Sequence, residues 1–136
     1  MDNKDVVRSF FGAVNAHDAE ALDPLVADDY TINGRVIGRD ALKSFVKFLG
    51  GAFPDDETEI LDLIAEGDRV VARLEARGTH AGPHPATGQP ATNKRKATKG
   101  IYIFRVADGR LAEAWDVWDV FGELIQLGLY EGPLNR

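Results

Sequence analysis

The pattern of apolar and polar residues divides the chain into a helical first part and a strand-rich second part. Between residues 3 and 16, apolar side chains recur every three or four positions, which predicts an amphipathic helix with a wide buried face. A short helix is predicted after Asp18, and a third helix is predicted to be capped by Asp40 and to end at Gly50. From residue 57 onwards, apolar and polar residues alternate, as in strands with one buried face.

The stretch from Gly100 to Gly128 contains the clearest hairpin signal. Asp108-Gly109 stands between two alternating apolar runs, and this dipeptide favours the positive φ angles of a tight turn. If these two residues form the turn, Tyr102 pairs with Trp115. One face then carries Tyr102, Phe104, Val106, Leu111, Glu113, Trp115, Val117 and Asp119, and the other carries Ile101, Ile103, Arg105, Ala112, Ala114, Asp116 and Trp118. A bulge of one residue would reverse the last assignments and turn Asp116 inward.

Other turn signals place the remaining strands. Asn33-Gly34 predicts a small hairpin, and Glu66-Gly67-Asp68 predicts a turn between strands at residues 57–65 and 69–80. Residues 81–93 contain three prolines and are predicted to form a loop. About three N-terminal helices followed by four long strands indicate an α+β domain, in which a curved antiparallel sheet wraps around the helices and leaves a conical pocket.

Composition narrows the classes of function. At 136 residues, with 44% hydrophobic and 28% charged residues, the chain is predicted to form one domain, residues 1–136. A net charge of −6 argues against a nucleic-acid partner, and the lack of cysteine excludes disulfides and thiolate chemistry. The histidine spacing matches no metal motif, so we expect no metal. No long apolar run or signal-like start is present, so we expect a cytoplasmic protein without a membrane partner.

Asp119 is the main candidate for acid–base chemistry. An aspartate on an apolar sheet face is costly unless it is paired or neutralised, and burial raises the pKa of its carboxyl group towards the range useful for proton transfer. The alternative is that Asp119 caps the segment starting at Phe121. Asp116 is interpreted as a solvated or ion-paired group that a shift of register would bring into the pocket.

Histidines and aromatic residues complete the predicted site. His80 shares the apolar parity of its strand, so it is either structural or has a chemical role, in which it orients Asp119 or polarises a carbonyl oxygen. His84 is expected at the pocket rim. The side chains predicted to bind a flat organic ligand combine a ring or amide with a polar tip: Tyr30, Asn33, Tyr102, Trp115 and Trp118, with Asp116 nearby. The basic run 94–99 is interpreted as a set of charged residues that keeps an exposed strand from pairing with other chains.

Several motifs, taken in order, resemble the SnoaL-like polyketide cyclase family, also called ester cyclases, within the nuclear-transport-factor-2-like fold. They are Phe53-Pro54-Asp55, Glu66-Gly67-Asp68-Arg69-Val70-Val71, Arg77-Gly78-Thr79-His80-Ala81-Gly82, the hairpin from Gly100 to Gly109, and Trp115-x-x-Trp118-Asp119. The resemblance implies a cone-shaped α+β barrel, homodimers through the sheet, and no cofactor. Characterised members close a ring by intramolecular aldol condensation with one aspartate, which corresponds to Asp119. Two departures lie at the pocket mouth: Asn33 replaces a histidine found in many members, and their Pro-Pro-Thr-Gly turn is matched only loosely in residues 85–93.

The leading hypothesis is therefore an enzyme of the polyketide cyclase type that acts on a small, apolar carbonyl compound. Asp119 transfers a proton at the carbon beside a carbonyl group, and His80 with an aromatic donor stabilises the enolate. The same fold is compatible with isomerisation, dehydration or hydrolysis. A second hypothesis is a non-catalytic module for ligand binding or dimerisation, in which Asp119 is a structural cap.

Overall fold

The computed structural model describes residues 1–130 and Pro133, and the other residues of the predicted domain lie outside this description. The helices are α1 (Asn3–Asn15), α2 (Gly38–Ala52) and α3 (Val120–Gln126), with a short 3-10 helix at Ala19–Leu22. The strands are β1 (Val26–Ile32), β2 (Arg35–Val36), β3 (Glu57–Glu66), β4 (Arg69–Thr79), β5 (Arg95–Ala107) and β6 (Arg110–Trp118). Within the described chain, no helix is both long and apolar enough to span a bilayer.

Within residues 1–130, the six strands form one curved, unclosed sheet in the order β2-β1-β6-β5-β4-β3. This confirms the α+β class and the four long strands. The prediction of a wholly antiparallel sheet is wrong, because β1 pairs with β6 in parallel. Asp28 and Asp29 lie in β1, which starts at Val26, a completely buried residue next to Leu111.

The helices cover one face of the sheet, called here the inner face. Asp2 caps α1 by accepting a hydrogen bond from the Asp5 backbone N–H. Asp18 likewise caps the 3-10 helix, as predicted, whereas Asp40 lies in the first turn of α2 and does not cap it. On the inner face the ring of Phe10 packs edge-on against Phe104, with centroids 5.7 Å apart. The apolar face of α1 therefore closes the core against β4, β5 and β6.

The β5–β6 hairpin turns at Asp108-Gly109, with φ angles of 52° and 74°, as predicted. Its predicted register is wrong beyond the first pairs. Val106 lies opposite Leu111, but a bulge then shifts β6 by one residue, so that Tyr102 lies opposite Asp116 and not Trp115. The bulge allows Leu111 and Ala114 both to be buried completely. Asp116 and Trp118 consequently face inward, which is the alternative that the sequence left open.

Candidate active site

A cavity of about 320 Å³ lies between the inner face of the sheet and helices α1 and α2. Its helical wall is apolar: Phe10, Phe11 and Val14 come from α1, and Leu42, Val46 and Leu49 come from α2. Tyr102 and Trp118 line the opposite wall on the sheet. Phe45, Ala86 and Val120 also line the cavity and are exposed, so they mark the side on which it opens to solvent. The loop 81–93 thus lies at the mouth.

One wall of the cavity holds a buried ionic cluster. The Lys96 Nζ atom lies 3.1 Å from Asp56 Oδ1 and 3.6 Å from Glu123 Oε1, and only 5% of the Lys96 side chain is exposed. Glu123 accepts hydrogen bonds from the Thr98 hydroxyl at 2.6 Å and from His84 Nε2 at 2.5 Å. His84 donates there because its Nδ1 accepts the Ala86 backbone N–H. The apolar cavity therefore ends at a wall of ionisable groups.

Electrostatics distinguishes the two carboxyl groups of this cluster. Burial raises the pKa of Asp56 above its usual 3.8, and the nearby Lys96 ammonium only partly offsets this. The Lys96 ammonium also lies over the Phe53 ring, 4.7 Å from its centroid, and this cation–π contact helps to hold it at the cavity wall. The cluster therefore combines a fixed cation, Lys96, with a carboxyl group, Asp56, whose protonated form is favoured by burial.

A second polar group surrounds Asp116 on the inner face. Asn33 donates to Asp116 Oδ1 at 2.6 Å and accepts the Asp116 backbone N–H at 2.8 Å. The Trp118 indole N–H donates to Asp116 Oδ2 at 3.2 Å. Burial and the Asp116 charge both raise the pKa of the Tyr30 and Tyr102 hydroxyls, so both stay protonated. Tyr30, Asn33, Tyr102, Asp116 and Trp118, five of the residues proposed from sequence to bind ligand, thus lie together.

Asn33 reaches Asp116 because the small hairpin turns where the sequence predicts. Asn33 and Gly34 have φ angles of 51° and 81°, the left-handed conformation that asparagine and glycine tolerate best. The turn presents the Asn33 side chain to β6, next to the bulge-shifted Asp116. Asp116 was interpreted as solvated or ion-paired; it is partly exposed, and its two carboxylate oxygens accept hydrogen bonds from Asn33 and Trp118.

The prediction that Trp115 faces the cavity is wrong. The bulge turns its side chain to the outer face of the sheet, where the indole is half exposed and donates to Glu113 Oε1 at 2.6 Å. Ile101, Ile103 and Val117 lie on the same outer face and are also exposed. Trp115 therefore belongs to an apolar outer surface and not to the lining of the cavity.

His80 is completely buried beside the cavity and does not line it. Its Nδ1 accepts the Thr92 backbone N–H at 3.2 Å, so the ring proton lies on Nε2, which has no hydrogen-bond partner among the described residues. The His80 backbone also bonds to Asn93 and Lys94, which joins the two ends of the mouth loop. His84 was expected at the rim, but it is only 2% exposed because Glu123 holds it inside.

Asp119 follows β6 at the edge of the cavity. Its Oδ1 accepts the Gly122 backbone N–H at 3.0 Å and so caps α3, which confirms the capping contact that the sequence left open. A Cβ atom at residue 122 would overlap the Asp119 carboxylate, so this cap requires the glycine. Trp118 and Val120, on either side of Asp119, both line the cavity. Asp119 therefore lies at the cavity edge, and its role in proton transfer stays a prediction.

Sequence reasoning missed the ionic cluster. Lys96 and Thr98 were part of a basic run taken as exposed, yet both are buried. A signal was available, because both share the parity of Tyr102 and Phe104 on the inward face of β5. No such signal marks Asp56 and Glu123, which come from distant parts of the chain.

Comparisons with known proteins agree with this architecture. Residues 4–127 match the family model of SnoaL-like polyketide cyclases. Aklanonic acid methyl ester cyclase DauD of Streptomyces sp. (strain C5) is 28% identical over 131 residues, covering 91% of this chain and 80% of DauD. Aklanonic acid methyl ester cyclase DnrD of Streptomyces peucetius is also 28% identical, covering 91% and 89% of the two chains.

A solved structure extends the comparison to the fold. TsrD from Streptomyces laurentii superposes with a TM-score of 0.85 at 29% identity, covering 93% of this chain and 94% of TsrD. The match to the family model and this superposition confirm the predicted family and its α+β fold.

Proposed function

Because this chain belongs to the SnoaL-like polyketide cyclase family, we propose that it closes a ring in an apolar carbonyl compound by an intramolecular aldol reaction. The observation that supports this most strongly is the apolar cavity of about 320 Å³ with ionisable groups on one wall. Its volume lies in the range of small-molecule sites. As the family resemblance implies, the proposed reaction uses no cofactor.

In the proposed reaction, Asp119 removes a proton from the carbon beside a carbonyl group. The enolate carbon then attacks a second carbonyl carbon of the same molecule, and the resulting alkoxide takes up a proton. Tyr102 lines the cavity, and its hydroxyl is a donor suited to the enolate oxygen, whereas the Trp118 indole N–H already donates to Asp116. We assign His80 a positioning role, because its ring and backbone hold both ends of the mouth loop.

The proposed function is tested with aklanonic acid methyl ester, the compound in the names of DauD and DnrD, called here the probe ester. An aldol ring closure loses no atoms, so we expect a product of unchanged mass that chromatography separates from the probe ester. Binding is followed by the fluorescence of Trp118 in a Trp115→Phe variant, which removes the exposed indole on the outer face. Trp118→Phe is the matched control.

Quenching without a new product would favour the alternative function, a ligand-binding module. The cap that Asp119 forms for α3 is the observation that favours this alternative. A product of lower mass would point to dehydration, and a product that has gained water would point to hydrolysis. If the probe ester neither quenches the fluorescence nor is converted, the proposed function is contradicted.

We also propose that the outer face binds a second copy of the chain. Ile101 and Ile103 on β5 lie opposite Val117 and Trp115 on β6, and all four are exposed. Several charges nearby are paired within the chain, for example Arg105 with Glu113 at 3.1 Å. An apolar face of this kind suits the self-complementary contact of a twofold dimer.

The dimer is tested by replacing Val117, which is 70% exposed, with arginine. We expect the wild-type chain to sediment as a dimer and Val117→Arg as a monomer, because the substitution places two like charges across the twofold axis. Phe48→Arg is the matched control, since Phe48 is exposed on α2, on the other side of the sheet. A monomeric wild-type chain, or a dimeric Val117→Arg variant, would contradict the proposal.

A further inference from the structure

The ionic wall of the cavity has no part in the proton transfer assigned to Asp119. Asp56, Lys96 and Glu123 form this wall, and their side chains are at most 10% exposed. Burying ionised groups costs free energy, and one ammonium cannot neutralise two carboxylates. Such a cluster is therefore expected to keep one carboxyl group in its protonated form.

The surroundings show which carboxyl group that is. Glu123 accepts short hydrogen bonds from Thr98 and His84 in addition to its contact with Lys96, so both of its carboxylate oxygens have donors. Asp56 lies 3.1 Å from the Lys96 ammonium, and its buried Oδ1 accepts no other hydrogen bond among the described residues. Its pKa is raised by burial and by the charge of Glu123, while Lys96 and His17 act in the opposite direction.

The structure also fixes the position of Asp56. The preceding residue, Asp55, accepts the backbone N–H and the hydroxyl of Thr79, both at 2.7 Å, and these bonds anchor the start of β3 to the end of β4. Gly78 leaves room for the Asp56 carboxyl group, since a Cβ atom there would lie 3.2 Å from Oδ1. Asp56 is thus held against the cavity that it lines.

From this geometry we propose that Asp56, paired with Lys96, is a second catalytic residue, the acid that protonates the acceptor carbonyl oxygen during ring closure. This inference rests on the proposed function. Asp119 takes the proton from carbon, and the enolate carbon bonds to the acceptor carbonyl carbon. The π electrons of the acceptor carbonyl move to its oxygen, which takes the proton of Asp56.

After ring closure, Asp119 is protonated and Asp56 is ionised beside the Lys96 ammonium. A proton returned through solvent restores both groups, so the net reaction is an isomerisation. The inference also narrows the class of substrate. The expected substrate has an apolar body and two carbonyl groups. The donor carbonyl lies towards Asp119, and the acceptor carbonyl lies at the ionic wall.

The protonation of Asp56 is measured by carboxyl NMR on the full chain with isotope-labelled aspartate. We expect one carboxyl resonance to titrate above the usual aspartate range, to vanish in Asp56→Asn, and to titrate still higher in Lys96→Met because the cation is gone. An Asp56 resonance that titrates in or below the usual range would overturn the inference.

The catalytic role is tested by separating the two halves of the reaction. Exchange of carbon-bound protons of the probe ester in deuterated water needs only the base, whereas ring closure also needs the acid. We expect Asp56→Asn to keep exchange and to lower the rate of ring closure on the order of 10²- to 10⁴-fold. Asp62→Asn is the matched control, because Asp62 is an exposed aspartate on β3 that pairs with Arg73.

The outcomes separate this inference from the proposed function. If Asp56→Asn closes the ring at the wild-type rate, only the role of Asp56 is overturned. If Asp56→Asn loses exchange and ring closure together, Asp56 is not the dedicated acid, and the inference is again overturned. A wild-type chain that neither exchanges protons nor closes the ring overturns the proposed function, and this inference with it.

Discussion

Replacing Asp119 with asparagine is expected to lower the rate of ring closure on the order of 10²- to 10⁴-fold, the usual contribution of a positioned acid–base group. Asparagine cannot take up the proton, but its side-chain oxygen can still accept the Gly122 N–H that Asp119 accepts. The helix α3 should therefore stay folded, and the thermal midpoint should change little. The rate of loss of the probe ester and a thermal melt, measured on the same preparation, check both expectations.

The comparison with Asp119→Ala separates catalysis from capping. Alanine removes both the carboxyl group and the cap, so it should cost about 1 kcal/mol of stability in addition to the loss of turnover. If Asp119→Asn retains wild-type turnover while Asp119→Ala loses only stability, Asp119 is a structural cap. The proton-transfer role would then be wrong for this residue.

Replacing Gly100 with alanine is expected to disrupt both the fold and the cavity. A Cβ atom at residue 100 would overlap the indole ring of Trp118, the residue of β6 directly opposite this glycine of β5. Overpacking of this kind costs typically about 1–3 kcal/mol. Trp118 lines the cavity and donates to Asp116, so its displacement should also weaken binding of the probe ester. Chemical denaturation and a binding titration measure the two effects.

Two further variants test whether the clash with Trp118 causes the losses expected for Gly100→Ala. Gly51→Ala is the matched control, because Gly51 lies in α2 and no atom lies within 4 Å of a Cβ built there. In the double variant Gly100→Ala, Trp118→Ala, the smaller side chain removes the clash, so the two stability losses should be far from additive. Strict additivity would contradict the proposed steric origin.

The hairpin illustrates how far local sequence determines this fold. The Asp108-Gly109 turn was predictable because its positive φ angles depend on these two residues alone. The register of β6 was not, because the bulge depends on distant neighbours. Leu111 donates its backbone N–H to Leu25 O and lies beside β1, while Ala114, on the far side of the bulge, also faces the core. Parallel pairing with β1 cannot be seen in the hairpin sequence.

The candidate site shows the same division. Strand parity was sufficient to place His80 on the buried face of its strand, and the aromatic and amide residues near Asp116 were identified from their chemistry. Lys96 was missed because a buried lysine is rare unless it is paired, and its partners come from a strand start and a terminal helix. Sequence predicts which way a side chain on a strand points, but not which distant charges it meets.

A crystal structure of Asp119→Asn with the probe ester tests the central claim most directly, because this variant should bind the ligand without converting it. We predict that the ligand fills the cavity against Tyr102 and Trp118, with one carbonyl group towards residue 119 and the other beside Asp56 and Lys96. Ligand bound on the outer face of the sheet, or an empty cavity at a ligand concentration that saturates the protein in solution, would contradict the account.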